Sequence, residues 1–255
     1  MDPISAILSL FDDQDPLVQE SLSSRLSSDP DLLDRTWELA LTRETPPAPS
    51  LVQLILRADA EALVDAFAEC GEDLEGGIWL LPRLHLPRKD YRTAGSAALD
   101  ALARRLPRDA DGAAIADFLC HDCGFDGDRQ DYDNPLNSFM TSVLERRIGL
   151  PMTLTALWVL VGRRLGLDLE VIALPKHVLG RWKGGFIDLF EGGRMVTREE
   201  LDARVGPFDH AGAAPYLAPA SDRAILRRMA RNLTASYHRR EDSIRATIAH
   251  GLATC

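Results

Sequence analysis

The sequence predicts an α+β protein in which helices flank one small antiparallel sheet. Two observations lead to this class. Apolar residues recur at helical spacing through most of residues 1–167 and again near the C-terminus. Between these parts, residues 168–190 form short alternating or β-branched runs bounded by Pro, Lys and Gly. With 255 residues, 45% of them hydrophobic, the chain is long and apolar enough to form a real core.

The N-terminal region, residues 1–73, is expected to be entirely helical. Its apolar residues follow three-and-four spacing, and Asp-Pro dipeptides mark the turns between short helices. Segments 12–26 and 27–41 resemble each other only loosely, so the pattern does not establish a repeat. The prolines of residues 45–50 predict a linker, because consecutive prolines cannot continue a helix.

Residues 74–110 are expected to form a helical pair, at 74–84 and 91–106, that packs on the core. A further helix is predicted near residues 111–123. The acidic stretch that follows, residues 126–134, resembles a calcium loop only in composition, since the required Gly spacing and terminal Glu are absent. It is interpreted as a solvated turn.

Two helices precede the predicted sheet. Asn137 or Ser138 is expected to cap the first, and Arg146 and Arg147 lie at its C-terminus, where the helix dipole favours positive charge. Pro151 starts the second at a first-turn position, where its missing N–H costs nothing. The apolar face of this second helix is formed by Leu154, Leu157, Trp158, Val161 and Leu165.

Three adjacent strands are predicted, at 168–174, 177–182 and 185–190. His177 begins the second strand, and Asp188 lies near the end of the third, 11 residues later. A tight turn between antiparallel strands would bring these two side chains together. After the sheet, two helices near 221–240 and 241–252 predict a C-terminal helical hairpin.

Composition excludes several classes of function. A net charge of −10 and a pI near 5.1 argue against a nucleic-acid partner, because binding phosphates requires clustered Lys and Arg. No stretch approaches the roughly 20 apolar residues of a membrane span, and the acidic N-terminus does not resemble a signal peptide. A cytoplasmic protein with reduced cysteines is expected, with neither a membrane partner nor a cofactor.

An imidazole beside a carboxylate is the orienting half of a nucleophile–base–acid triad, since the carboxylate fixes the tautomer of the histidine. A nucleophile would then be expected at a helix N-terminus, where the dipole lowers its pKa and free N–H groups can hold an oxyanion. The helix that begins at Pro151 places Thr153 in its first turn.

The order of these elements resembles the transglutaminase-like, papain-related superfamily. More closely, the stretch "NSFMTSVLERRIGLPMTLTALWVLVGRRLGL", followed by "PKHVLGRW" and "FIDLFEGGRMVTREEL", resembles its SirB1-like branch. The resemblance extends over about residues 74–202. It implies a transglutaminase-like core at 111–205, with His177 and Asp188 at the catalytic histidine and aspartate positions. The tail, within 206–255, looks like the tetratricopeptide-like tail that many members carry.

The sequence departs from the superfamily pattern at the nucleophile. The usual cysteine would fall near residues 151–153, which are Pro, Met and Thr. Either Thr153 acts as a hydroxyl nucleophile, or the site has lost acyl-transfer chemistry. Loss is favoured, because a threonine hydroxyl depends wholly on an adjacent base, and because Thr also serves well as a helix cap.

Two functional hypotheses follow. The preferred one is a non-catalytic, transglutaminase-like protein that binds a protein or peptide partner. The alternative is a hydrolase or acyl transferase that uses Thr153, His177 and Asp188. Asn137, Glu145 and Arg147 flank the predicted site and are candidate binding residues, with cap and surface-charge roles as the alternative.

The "CHDC" motif, Cys120 to Cys123, invites a zinc or redox interpretation. It lacks a second ligand pair at zinc-finger spacing and has no thioredoxin-like context. Core packing of two small apolar residues is therefore the favoured interpretation, and no metal site is predicted.

Overall fold

The computed structural model describes residues 3–11, 13, 15–175, 177–205 and 213–255. The described residues before residue 74 form short helices joined by turns. These helices are α1 (Pro3–Leu10), α2 (Pro16–Ser27), α3 (Pro30–Leu41), α4 (Pro49–Ala58) and α5 (Ala60–Glu69). The Asp-Pro dipeptides start two of these helices: Asp15 and Asp29 accept a backbone N–H with their side chains, and the proline occupies the first turn.

The next segment is more broken than the sequence predicts. Its elements are α6 (Leu74–Ile78), a 3-10 helix (Leu81–Leu84), α7 (Arg92–Ala103), α8 (Gly112–Asp117) and a π-helical turn (Phe118–Asp122). The single helix expected near 111–123 thus ends early and widens into the π turn. Two-residue strands β1 (Asp126–Gly127) and β2 (Ile148–Gly149), which the sequence pattern is too short to reveal, then pair in parallel.

The site lies around the helix and sheet that come next. Between β1 and β2 are a 3-10 helix (Pro135–Ser138) and α9 (Met140–Arg146), and α10 (Pro151–Arg164) follows β2. The sheet is β3 (Glu170–Leu174), β4 (His177–Trp182), β5 (Gly185–Asp188) and β6 (Arg194–Val196), in that order and antiparallel throughout. The three predicted strands are present; β6 and α11 (Arg198–Val205) were not predicted.

The two faces of this sheet are covered differently. Val178 and Gly180 face α10, where a Cβ added at Gly180 would lie 2.6 Å from the ring of Trp158. Leu179 belongs to a separate apolar cluster with Leu201 and Val205 of α11. Because successive strand residues point to opposite faces, odd-numbered residues of β4 lie on the α11 face and even-numbered ones on the α10 face.

The C-terminal hairpin is formed by α12 (Asp222–Arg239) and α13 (Ser243–Thr254), which meet at Glu241, a residue with a left-handed backbone (φ 59°). Buried apolar side chains from Leu8 to Ala253 form one continuous core, so the N-terminal helices, α10 and the hairpin share their packing. Among the described residues, no helix is long and apolar enough to cross a membrane.

Candidate functional site

The spacing of His177 and Asp188 brings their side chains into contact. His177 Nε2 lies 2.7 Å from Asp188 Oδ2. Gly180 pairs with Ile187 in the β4–β5 register, which sets Asp188 opposite Leu179, two residues along from His177 and on the same face of the sheet. With Nε2 against the carboxylate, Nε2 carries a proton and Nδ1 is left without a hydrogen-bond partner among the described residues.

Arg204 of α11 completes this group, which we call the His177 site: His177, Asp188 and Arg204. Arg204 donates to Asp188 Oδ2 at 2.9 Å, so one carboxylate oxygen faces both partners, and the other accepts the backbone N–H of Glu191 at 3.2 Å. Asp188 is fully buried, while His177 keeps 21% of its side chain exposed. The carboxylate is therefore enclosed, and a ligand can reach the imidazole and the Arg204 side chain, which is 28% exposed.

The electrostatics of Asp188 follow from these contacts. Burial alone raises the pKa of a carboxyl group, but the hydrogen bonds and charges of His177 and Arg204 outweigh burial and hold the pKa of Asp188 below its ordinary value. Asp188 is thus ionised at neutral pH and fixes the orientation of the imidazole.

Arg204 was missed at the sequence level although a signal for its helix exists. Thr197 and Glu200 form a capping box: the Glu200 carboxylate accepts the Thr197 backbone N–H at 2.8 Å, and the Thr197 hydroxyl accepts the Glu200 N–H at 3.3 Å. The T-x-x-E spacing at 197–200 predicts a helix start, and hence a helix that could carry Arg204 to the sheet.

Thr153 does not cap α10, contrary to the sequence-based interpretation. Its Oγ1 is buried and has no hydrogen-bond partner among the described residues, and the residue has no exposed surface. The N-cap residue is Leu150, which supplies no side-chain bond. Thr155 instead bonds back to the carbonyl oxygen of Pro151 at 2.8 Å, within the helix.

Thr153 and the His177 site lie on different sides of the sheet. Thr153 belongs to α10, which packs against the face that carries Val178 and Gly180. His177 and Asp188 point to the other face, toward α11. In keeping with this, no hydrogen bond joins Thr153 to His177.

Asn137 is also not the cap that the sequence suggested. Its amide donates to Asp128 Oδ2 at 2.9 Å and to the Asp131 carbonyl at 2.8 Å, and its oxygen accepts from Arg146 at 2.9 Å. The loop interpreted as a solvated turn is in fact anchored by a buried carboxylate, since only 7% of Asp128 is exposed. Asn137 has no exposed surface, so it organises this loop and does not touch a ligand directly.

The remaining candidate binding residues lie apart from His177. Glu145 is exposed on α9 and borders a concavity with His85 and Tyr91. Arg147, the left-handed residue that ends α9, stacks its guanidinium 4.5 Å from the centre of the Phe125 ring. Glu145 and Arg147 therefore have neighbours that do not belong to the His177 site.

Cys120 and Cys123 are partly buried and pack against the core. Burial, with smaller contributions from Asp126, Asp117 and Asp188, raises the pKa of Cys120 to about 12, which leaves it an unreactive thiol at neutral pH. In the described part of the chain, no group of three His, Cys, Asp or Glu residues is arranged to hold a metal ion.

Comparisons with known proteins place these features in a family. Residues 91–231 match the model of the transglutaminase-like superfamily, a span that includes α7 to α11 and the sheet. The chain belongs to this superfamily.

Individual relatives agree with the family assignment. A UPF0162 protein of Xylella fastidiosa is 38% identical over 135 residues, which are 49% of this chain and 48% of the relative. A UPF0162 protein of Pseudomonas aeruginosa is 32% identical over 68% of both chains. F-box only protein 21 of Mus musculus is 36% identical over 47% of this chain and 21% of its own length. The chain spans about half the length of the Xylella relative that it matches. No solved structure matches significantly.

Proposed function

We propose that this protein is a non-catalytic member of the transglutaminase-like superfamily, of the SirB1-like branch, and that it binds a protein or peptide partner in the cytoplasm at the His177 site. In this proposal the tetratricopeptide-like α12–α13 hairpin supports the site. In this proposal acyl transfer is absent, because no nucleophile among the described residues is hydrogen-bonded to His177.

One observation carries the non-catalytic part of the proposal. Thr153 Oγ1 is buried without a hydrogen bond to His177, and its helix, α10, packs on the sheet face opposite the one to which strand alternation directs His177. A threonine hydroxyl attacks only when a base within hydrogen-bond reach removes its proton. The other nucleophilic side chain near the site, Cys120, is kept protonated by its raised pKa.

A partly exposed aromatic pair that includes Phe190, two residues after Asp188, supports the binding part. Tyr132 is 47% exposed and packs edge-on against Phe190, with ring centres 5.9 Å apart. Its loop is held from below by Asp128 and Asn137, and Arg129 reaches across to the Phe190 carbonyl at 2.7 Å. An exposed, pre-ordered tyrosine offers contact area at low entropic cost, as in many peptide-binding surfaces.

Active-site labelling tests the loss of chemistry. A fluorophosphonate probe is incubated with the wild-type chain and with His177→Ala, and the labelled residue is located by peptide mass spectrometry. We expect no adduct at Thr153 in either protein. An adduct at Thr153 that disappears in His177→Ala would establish the hydrolase or acyl-transferase alternative.

A random-peptide array tests the binding. His177→Gln retains a donor for Asp188, and His250→Ala removes an exposed histidine of α13 as the matched control. We expect that some peptides bind both the wild type and His250→Ala. The same peptides should lose most of their binding signal with His177→Gln. Partner binding at this site would be refuted if no peptide binds, or if all three proteins bind the same peptides equally well.

A further inference from the structure

Arg228 of α12 reaches the β3–β4 turn beside the His177 site. Its guanidinium donates to the backbone carbonyl oxygen of His177 at 3.2 Å and to that of Leu174 at 3.4 Å. These two residues close the turn between the strands and pair with each other in the β3–β4 register. The guanidinium of Arg228 therefore contacts the backbone of His177, whose imidazole is partly exposed.

The charge of Arg228 is not balanced by a carboxylate in the described part of the chain. Its hydrogen-bond acceptors are neutral carbonyl groups, at distances that are long for such bonds. Two other partly buried arginines contact carboxylates: Arg164 pairs with Glu75 and Asp100, and Arg204 pairs with Asp188. A partly buried guanidinium without a carboxylate partner loses hydration that no opposite charge replaces, and a bound anion would supply that charge.

A second guanidinium reinforces the positive charge. Arg231, one helical turn further along α12, is exposed and has no ion-pair partner among the described residues. Burial and the charge of Arg231 both lower the pKa of Arg228, which shows that the two cations act on each other. The Tyr132 phenol also lies close enough to act on Arg228, and in its neutral form it can donate a hydrogen bond.

We infer that Arg228, assisted by Arg231, binds a carboxylate carried by the peptide ligand of the His177 site. This inference rests on the proposed function for the identity of the ligand as a peptide. A guanidinium presents two parallel N–H groups that match the two oxygens of a carboxylate, and partial burial strengthens such a bond. The carboxylate supplies a negative charge that the described residues do not place there.

Both a peptide C-terminus and an Asp or Glu side chain offer this chemistry, and small probes separate them. N-acetylalanine carries the C-terminal carboxylate, N-acetylaspartic acid α-amide carries the side-chain carboxylate, and N-acetylalaninamide is the neutral control. Each is titrated into the ¹⁵N-labelled full chain while the Nε–Hε signal of Arg228, assigned by its loss in Arg228→Lys, is followed. We expect a saturable shift with one or both acids and none with the amide.

Variants test whether Arg228 is the group that binds. Arg228→Gln keeps one donor for the turn carbonyls and should weaken acid binding about tenfold, the loss expected when a charge-assisted bidentate pair is removed. Arg231→Gln removes an exposed charge without a structural bond and should weaken binding roughly two- to fivefold. Arg108→Gln, an exposed arginine in the loop before α8, lowers the net charge equally and should change nothing.

The outcomes separate this inference from the proposed function. Equal acid affinity in the wild type, Arg228→Gln and Arg231→Gln would overturn the carboxylate site, even if the peptide array still depended on His177. Conversely, Arg228→Gln could lose acid binding while His177→Gln binds the peptide array as well as the wild type does. That result would retain this inference and refute the peptide-binding site. If Arg231→Gln has the same thermal unfolding midpoint as the wild type, its weaker acid binding is not caused by a loss of folding.

Discussion

On the α10 face of the sheet the contacts are apolar and tightly fitted, whereas on the α11 face a carboxylate, an imidazole and a guanidinium meet. Trp158 on the first face has no exposed surface and leaves so little space that a Cβ at Gly180 would collide with it. Asp188 on the second face is equally buried, but its carboxylate contacts the imidazole of His177 and the guanidinium of Arg204. The α10 face thus supplies the stability of the fold, and the α11 face holds the polar group that a ligand can reach.

The largest expected effect is on the apolar face. Trp158→Ala removes a buried ring that packs edge-on against Trp182 and donates to the Gly112 carbonyl at 2.8 Å. It should lower the free energy of unfolding by about 3 to 5 kcal/mol, through lost burial and a cavity. Urea denaturation followed by circular dichroism measures this. Met195→Ala, at a position 49% exposed on β6, is the control and should change stability by less than about 0.5 kcal/mol.

An intermediate effect is expected on the polar face. Asp188→Asn removes the charge that His177 and Arg204 share and should cost about 2 to 3 kcal/mol at pH 7. Because the pKa of Asp188 is lower in the folded chain than in the unfolded one, its contribution is full above the unfolded pKa and is lost as pH falls through the folded pKa. The stabilities of variant and wild type should therefore converge in acid. A difference that stays constant down to pH 2 would show that charge is not the cause.

The smallest effects distinguish two neighbouring threonines of α10. Thr153→Val replaces a buried hydroxyl that has no partner among the described residues with a methyl group of the same shape, and it should stabilise the chain by about 1 kcal/mol. Thr155→Val removes a formed bond to the Pro151 carbonyl and should be neutral or destabilising by about 1 kcal/mol. Thermal unfolding of both variants checks the sign. A Thr153→Val variant that unfolds more easily than the wild type would show that the hydroxyl has a partner in solution.

Local sequence signals account for much of the fold. Asp-Pro dipeptides marked helix starts at Asp15 and Asp29, and β-branched runs marked three of the four strands of the sheet, because both depend on backbone and capping chemistry within a few residues. The same reasoning failed for Asn137, because its side chain forms hydrogen bonds with Asp128 and Arg146 and does not cap the nearby helix. A cap and a tertiary hydrogen bond use the same amide, and only the packed chain decides between them.

By itself, the sequence determined the α+β class and the His177–Asp188 contact, since an antiparallel register fixes which residues of neighbouring strands share a face. Only the tertiary structure decided which face that is, and with it the separation of the pair from Thr153. It also brought Arg204 to Asp188 and Arg228 to the backbone of His177, from helices that lie farther along the chain. The reason is physical: strand alternation is a local property, whereas the helix that covers each face depends on how the whole chain packs.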